Sequence, residues 1–247
     1  MKRVIPAFIC SLAICAAIAC AVVVFMRFSG LIDNILSPGK SSVNNRESKI
    51  TVVIDPGHGG TDGGAVGVSG ILEKDLNLEV GTLLAGELTR RGFDVIMTRT
   101  DDVMLDNGSS SSAKVSDLSA RLEIVRSCEN PVFVSIHMNK FPDSSVNGFT
   151  VYYSSNNPDS ELLAAAVRQS VTYSVQPENK RPMKAAGNSI FLLSRLTSPA
   201  VLLECGFLSN QREEALLSDP EYREKLVCAI SDGIENFINR GSSGSKV

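Results

Sequence analysis

A chain of 247 residues has room for one sizeable domain and shorter flanking segments, but not for two full domains. Apolar residues make up 43% of the chain and charged residues 21%, which is ordinary for a globular protein that carries one membrane segment. A formal net charge of −3 gives no electrostatic reason to expect nucleic acid or an anionic membrane surface as a partner, and the absence of Trp excludes a sugar-binding platform of stacked tryptophans.

The N-terminal segment is predicted to anchor the protein in a membrane. The run Val4–Met26 is almost purely apolar and contains about 23 residues, against the roughly 20 that cross a bilayer as a helix. Lys2 and Arg3 precede it, so the positive-inside bias places the N-terminus in the cytoplasm and the remaining chain outside. A cleaved signal peptide is the alternative, with residues 17–19 resembling a cut site, but the apolar run continues beyond them. We therefore predict an uncleaved anchor over residues 1–27.

The rest of the chain divides into a linker, one exported domain and a tail. Residues 28–47 include a stretch rich in Ser, Pro and Gly and are predicted to form a linker, and the Gly- and Ser-rich residues 241–247 a disordered end. One domain is expected over residues 48–240. It holds three cysteines, an odd number without C-x-x-C spacing, so we expect buried small hydrophobes rather than zinc ligands or disulfides. These cysteines are Cys128, Cys205 and Cys228.

Strand-like and helix-like runs alternate along this domain. Ile50–Ile54 is a short continuous apolar run, as expected of a strand buried on both faces. The other predicted strands are 93–97, 132–136, 149–153, 190–193 and 200–203. The predicted helices are 75–91, a helix that follows the loop 99–116 with Ser116 as its N-cap, 161–173 and 221–238. This order predicts an α/β fold with a largely parallel sheet, helices on both faces, and an active site beyond the carboxyl ends of the strands.

The two histidines of the chain both fall at that predicted edge. His58 follows the first strand in the segment DPGHGG (residues 55–60), and His137 ends the third strand. Glycines around His58 let the backbone approach a ligand closely, and Asp55 could accept the proton on the other imidazole nitrogen. Neutral imidazole suits Zn²⁺, and two histidines with one carboxylate would leave the fourth tetrahedral position open for water.

Spacing alone does not determine which carboxylate completes such a site. Asp62, Glu73 and Asp75 follow the first strand, and Glu204 ends the last apolar run. An acidic residue in the first turn of a helix, such as Glu73, is also explained by the helix dipole. A carboxylate that ends a buried strand, such as Glu204, costs several kcal/mol unless it is paired or bound to a metal.

Four segments together resemble the zinc-dependent N-acetylmuramoyl-L-alanine amidases. They are DPGHGGTDGGAVG (55–67), LEKDLNL (72–78), SIHMN (135–139) and PAVLLECGFLSN (199–210). The resemblance implies a single domain with a mixed, mostly parallel twisted sheet of about six strands. It also implies one Zn²⁺ ion held by the residues matching His58, Glu73 and His137, with the residue matching Glu204 as the catalytic acid/base. The implied reaction is hydrolysis of the amide between N-acetylmuramic acid and L-alanine in peptidoglycan.

Within that family the chain looks most like the germination-specific, CwlD-type branch, on the basis of its short length, its N-terminal anchor and the loop 106–116. This branch removes stem peptides so that a muramic acid deacetylase can complete muramic-δ-lactam in the spore cortex. The likeness implies a membrane-anchored enzyme that acts outside the cytoplasm, in the space between the forespore and mother-cell membranes. Regulation by an activating partner protein stays open.

Three other functions compete with this interpretation. The first is a general vegetative cell-wall amidase. The second is a zinc hydrolase that cuts another bond, either a peptide–peptide link or an N-acetyl group. The third is a non-catalytic, zinc-containing wall-binding module, which would have no use for an open metal position beside a buried carboxylate.

Overall fold

The computed structural model describes residues 49–105 and 110–243. The predicted anchor, residues 1–27, and the predicted linker, residues 28–47, lie outside these ranges. Within the described ranges, no helix combines the length and the apolar character that a membrane-spanning helix needs.

Six strands and five helices make up the described residues. The strands are β1 (Thr51–Pro56), β2 (Asp94–Met97), β3 (Pro131–Asn139), β4 (Thr150–Tyr153), β5 (Lys184–Ala185) and β6 (Ala200–Phe207). The helices are α1 (Glu73–Arg90), α2 (Ala113–Arg126), α3 (Asp159–Ser174), α4 (Gln211–Ser218) and α5 (Pro220–Ser243).

All six strands belong to one sheet in the order β2-β1-β3-β6-β4-β5. β2, β1, β3 and β6 run parallel to one another, β4 runs antiparallel to β6, and β5 runs parallel to β4. The prediction of a single α/β domain with a mixed, mostly parallel sheet is therefore confirmed. Because β1, β3 and β6 are parallel neighbours, their carboxyl ends meet at the same edge of the sheet.

The sheet is buried on both faces, which explains the continuous apolar runs of its central strands. On β1, Val52 and Ile54 face a core cluster formed with α1, α3 and α5. The side chain between them, Val53, faces a second cluster formed with α2 and with Leu192 and Leu193. Helices thus cover both faces of the sheet, as predicted: α1, α3 and α5 pack on the first face, and α2 packs on the second.

The prediction of a strand over residues 190–193 is wrong. This segment forms turns, yet Leu192 and Leu193 are buried against the second cluster. Its apolar character thus reflects packing rather than a place in the sheet. The sheet instead receives β5, Lys184–Ala185, a strand of two exposed residues that is too short to show a hydrophobic pattern.

Two helix ends differ from the sequence prediction. Ser116 is not the N-cap of α2, because the helix begins at Ala113 and Ser112 occupies the N-cap position. Ser116 is instead fully buried inside the helix. At the other end of the domain, α5 continues to Ser243, three residues into the predicted disordered tail 241–247.

The short helix α4 is a further element that the hydrophobic pattern did not indicate. It begins after Asn210, whose side chain accepts hydrogen bonds from the backbone N–H groups of Arg212 and Glu213. This is the arrangement of an N-cap, which satisfies donors that a helix start would otherwise leave unpaired. The clearest sequence signal for α4 is therefore its N-cap, Asn210, and not a hydrophobic pattern in the eight residues of the helix.

We predict opposite effects of alanine at two helical glycines. A Cβ at Gly233 of α5 would lie 2.4 Å from Val167 Cα in α3, so Gly233→Ala should lower the free energy of unfolding by about 1–3 kcal/mol. Gly86 of α1 has no neighbouring atom within 4 Å of that position, so Gly86→Ala should raise it by about 0.5–1 kcal/mol. Urea unfolding of the two variants measures both changes, and equal shifts would contradict the close contact between α3 and α5.

Candidate active site

The chain leaves β1 in an unusual backbone conformation. His58 has a φ of 62°, a left-handed conformation that side chains other than glycine rarely adopt, and Gly59 and Gly60 follow with φ of 137° and 57°. Such a conformation costs of order 1–3 kcal/mol and persists only where the surroundings enforce it. The glycines supply turns that other residues would resist, and His58 must be held by its neighbours.

Two buried arginines hold this segment. The Arg121 guanidinium, from α2, donates to Pro56 O (2.9 Å) and His58 O (2.6 Å). The Arg99 guanidinium donates to Pro56 O (2.8 Å) and Gly57 O (3.0 Å). These carbonyl groups lie where the chain departs from the sheet, so the arginines supply donors in place of a neighbouring strand. The result is a rigid loop with a defined direction for the His58 side chain.

Asp55, which we expected to support the His58 imidazole, has a different role. Its carboxylate accepts hydrogen bonds from Arg121 (2.7 Å), Thr98 Oγ1 (2.7 Å) and Ser135 Oγ (2.7 Å). Burial alone would raise the pKa of Asp55, but the Arg121 charge and the two hydroxyl donors outweigh it and hold the pKa below its ordinary value. The prediction for Asp55 is therefore wrong, because its side chain turns under the loop to neutralise Arg121.

Three side chains from distant parts of the chain meet at this edge of the sheet. Glu73, the first residue of α1, places Oε1 3.2 Å from His58 Nε2 and 2.8 Å from His137 Nδ1. The two imidazole rings are nearly perpendicular, with centroids 5.0 Å apart. One potential ligand atom from each residue lies within 4.8 Å of the others, and the described residues contain no second group of this kind.

The other imidazole nitrogen of His58 faces Asp62. Asp62 Oδ2 lies 3.0 Å from His58 Nδ1, although the two groups are not aligned as a hydrogen bond. Lys114 approaches the same carboxylate oxygen at 3.6 Å, and the Gly64 N–H donates to the other oxygen. Asp62 is therefore the acid in position to orient this imidazole, and the carboxylate that lies between both histidines is Glu73.

The carboxylate of Glu73 is held by its own set of donors. Its Oε2 accepts a hydrogen bond from the Ala65 N–H at 2.8 Å, and its Oε1 accepts from the Met138 N–H at 3.2 Å. The Asn77 amide donates to Gly57 O at 3.1 Å and reaches Glu73 Oε1 at 3.4 Å. Burial alone would raise the pKa of Glu73, but hydrogen bonds from the two imidazoles outweigh it and hold the pKa well below its usual range.

Two glycines leave room for this arrangement. A Cβ on Gly57 would lie 2.2 Å from His137 Nε2, so any larger residue would displace that imidazole. A Cβ on Gly64, which also has a φ of 68°, would lie 2.6 Å from Glu73 Oε2 and 2.8 Å from His58 Cδ2. The glycines in the first motif thus serve close packing of the three side chains as well as the turns of the loop.

Glu204 lies beside this group on the adjacent strand. In the β3–β6 pair it is directly opposite His137, so the two side chains project from the same face of the sheet. Its Oε2 is fully covered and has no hydrogen-bond partner within the described residues. Burial raises the pKa of Glu204 to about 7. A carboxylate in these surroundings can exchange a proton near neutral pH.

The remaining candidates from the sequence lie outside the group. Asp75 is exposed on α1. The three cysteines are free thiols and none belongs to the metal-binding group. Only Cys205 is buried, whereas Cys128 is half-buried and Cys228 is exposed, so the expectation of buried cysteines holds for one of the three.

Sequence reasoning missed the two arginines that shape the loop. Arg121 follows Leu118 by three residues and precedes Leu122 and Val125, so it lies within the apolar stripe of α2. A charged residue at such a position must be paired inside the protein. This pattern could have identified Arg121, whereas Arg99 lies in a polar loop and carries no comparable mark.

The buried Asp55–Arg121 pair predicts a pH-dependent stability difference. The folded-state pKa of Asp55 is depressed, so its ionised form stabilises the fold above the ordinary pKa of about 4, and this contribution is lost as the pH falls through the folded-state value. Asp55→Asn leaves Arg121 paired only with Asp117, whose Oδ2 lies 2.8 Å from Arg121 Nε, and should destabilise the protein by about 1.5–3 kcal/mol at pH 7.

The difference between wild type and Asp55→Asn should shrink in acid, as measured by denaturant unfolding at pH 7 and pH 3. Asp75→Asn, which alters an exposed carboxylate of α1, is the control and should change stability by less than about 1 kcal/mol at either pH. A wild-type advantage of the same size at both pH values would contradict the proposed charge pairing.

Comparison with known proteins identifies the family. The family model described as N-acetylmuramoyl-L-alanine amidase matches residues 52–236. A germination-specific N-acetylmuramoyl-L-alanine amidase of Bacillus subtilis is 35% identical over 190 residues, which cover 76% of this chain and 79% of the relative.

Solved structures give the same result. The CwlD amidase of Clostridioides difficile, solved in complex with the GerS lipoprotein, matches with a TM-score of 0.72 and 36% identity over 77% of this chain and 98% of its own. An N-acetylmuramoyl-L-alanine amidase of Nostoc punctiforme matches with a TM-score of 0.67 and 32% identity over the same shares. The resemblance inferred from the four sequence segments is thus confirmed, and the chain belongs to the N-acetylmuramoyl-L-alanine amidase family.

Proposed function

We propose that this protein is a zinc-dependent N-acetylmuramoyl-L-alanine amidase that hydrolyses the amide between the lactyl group of N-acetylmuramic acid and L-alanine. One observation carries the proposal: His58, Glu73 and His137 place their ligand atoms together, with Glu204 beside them on the adjacent strand. Family membership supports the reaction class. The bound peptidoglycan would present its scissile amide at the open edge of the sheet.

The donor set fits zinc. Two imidazole nitrogens and one carboxylate oxygen are typical of catalytic zinc sites, which keep the fourth position open. Ligand atoms around a tetrahedral zinc lie about 3.3 Å apart. The Glu73 oxygen lies 3.2 Å and 2.8 Å from the two imidazole nitrogens, so a small outward movement of these side chains would accommodate the ion.

The residues of the site would each have a separate role in the reaction. A bound zinc ion would supply a Lewis acid that polarises the scissile carbonyl and acidifies the attacking water. Glu204 would accept the proton of that water and deliver it to the amine of the departing L-alanine. Its place opposite His137 and its unpartnered Oε2 support this role. The Asp62 carboxylate, 3.0 Å from His58 Nδ1, would favour a proton on that nitrogen and leave Nε2 to bind the metal.

We predict that Glu204→Gln lowers hydrolysis by several orders of magnitude without loss of the metal. Removing a general acid/base typically lowers turnover about 10²–10⁴-fold, whereas the three proposed ligands remain intact. Purified, zinc-loaded protein should be assayed by mass spectrometry for release of stem peptides that begin with L-alanine, and zinc content measured in parallel. Glu224→Gln, an exposed position on α5, is the matched control.

Full turnover in the zinc-loaded Glu204→Gln variant would refute the acid/base role. Release of a different fragment by the wild type, such as acetate or a peptide cut internally, would replace the amidase proposal with one of the other hydrolase activities.

We also infer that the enzyme acts during spore formation. The germination-specific relative of Bacillus subtilis and the CwlD amidase of Clostridioides difficile support this role. In this account the apolar N-terminal segment, residues 1–27, anchors the protein, and the catalytic domain lies between the forespore and mother-cell membranes. A muramic acid deacetylase would act next on the peptide-free muramic acid. The GerS complex of the Clostridioides difficile enzyme suggests a lipoprotein as the activating partner.

The spore role predicts a specific change in cortex chemistry. Spores that carry the Glu204→Gln allele should lack muramic-δ-lactam, because the deacetylase receives no peptide-free muramic acid. Muropeptide analysis of cortex and of vegetative wall from the same strain measures this. Unchanged cortex with an altered vegetative wall would favour a general cell-wall amidase instead.

A further inference from the structure

Three exposed apolar side chains lie on the loops that carry the proposed metal ligands. Val66 and Val68 stand in the loop that leads to Glu73, and Phe141 follows His137 by four residues. Their exposed fractions are 45%, 59% and 51%. We call these three residues the apolar lip. Exposed apolar side chains on loops that frame a proposed site are candidates for a binding surface.

The backbone of the lip is tethered to the rest of the site. The Val68 N–H donates to Leu208 O at 3.2 Å, and the Phe141 N–H donates to Ser209 Oγ at 3.0 Å. Val66 forms a β-bridge with Leu72, the residue before Glu73. The lip is thus held in one position, and a ligand would not have to order these loops on binding.

Lys140 joins the two halves of the lip. Its ammonium donates to Val66 O at 2.9 Å, which links the segment after His137 to the segment before Glu73. Two other lysines near the site, Lys74 and Lys114, each approach an aspartate. Lys140 is exposed and has no such carboxylate partner among the described residues. Its positive charge is therefore available to an anionic group of a ligand.

The Lys140 ammonium lies close to the proposed metal ligand Glu73. Val66 follows Ala65, whose N–H donates to Glu73 Oε2 at 2.8 Å. The path from the ammonium through Val66 O and Ala65 N to the Glu73 carboxylate is roughly 10 Å, and an extended peptide advances about 3.3–3.6 Å per residue. A cation there lies within reach of the first two or three residues beyond the scissile amide.

The chemistry of the substrate distinguishes its two sides. The lactyl carboxyl group of muramic acid is consumed in the scissile amide, so the glycan side carries no anion near the cut. The free carboxylates near the cut belong to the peptide side. An ammonium group is a strong donor to carboxylates, and aliphatic side chains suit the methyl and methylene groups of a short peptide.

From these observations we propose that Lys140 and the apolar lip bind the stem peptide, with the Lys140 ammonium on the free carboxylate of its second residue. This inference rests on the proposed amidase function and adds its substrate specificity. Lys140 would act on substrate affinity and not on bond cleavage, because it contacts neither the proposed metal ligands nor Glu204 in the described structure.

The test compares two disaccharide-peptide substrates, one with the second-residue carboxylate free and one with it amidated. Wild-type, zinc-loaded full chain should cleave the free form with a kcat/KM about three- to tenfold higher, as expected for a partly exposed charge pair. Lys140→Met should raise KM for the free form by that factor, leave kcat unchanged, and leave the amidated form unaffected. Lys140→Arg should restore most of the preference.

Two further variants separate specific from general effects. Phe141→Ala should raise KM for both substrates equally, since the lip contacts the aliphatic part of the peptide. Lys225→Met, an exposed lysine on α5, should change neither substrate. If Lys140→Met keeps the wild-type preference, or if its kcat/KM falls equally on both substrates, the Lys140 assignment alone is overturned. A wild-type enzyme that cleaves neither substrate overturns the amidase proposal, and this inference with it.

Discussion

The site depends on how the chain is held where it leaves β1. His58 adopts a left-handed backbone conformation that is unfavourable by itself. The buried guanidinium groups of Arg121 and Arg99 donate hydrogen bonds to the backbone carbonyl groups around it. Asp55 beneath the loop neutralises Arg121, so the cost of burying the guanidinium is offset inside the same structure. This arrangement places the His58 imidazole beside Glu73.

Sheet order brings the remaining groups to the same place. β1, β3 and β6 are parallel neighbours, so the residues at their carboxyl ends meet at one edge, which places His137 beside Glu204 and both near the His58 loop. Helix α1 then begins at this edge and contributes Glu73 from its first turn. Each group therefore arrives from a separate element, and the geometry depends on the packing of the whole sheet rather than on any one motif.

Much of this could be predicted from the sequence because strong local patterns mark it. The apolar runs of β1 and β3 and the helical spacing of apolar residues in α1 mark these elements, because burial requires such patterns. Once the two strands are predicted, the positions of the two histidines at their carboxyl ends can be read from the sequence. The choice between Asp55 and Asp62 as the partner of His58 could not be predicted, since it depends on where a left-handed turn aims the imidazole. Likewise the segment around Leu192 and Leu193 is as apolar as a buried strand. Only the tertiary structure shows that these side chains pack in the core while their backbone stays outside the sheet.

The proposed function depends most on His58, Glu73 and His137 sharing one zinc ion. X-ray absorption at the zinc edge on the full chain, reconstituted with one equivalent of zinc and dialysed, tests it most directly. We expect a nitrogen and oxygen shell at about 2.0–2.2 Å with the outer scattering of two imidazole rings, and the loss of this signal in His137→Ala. Sulfur scattering at about 2.3 Å, or the same two-imidazole spectrum in His137→Ala, would contradict it.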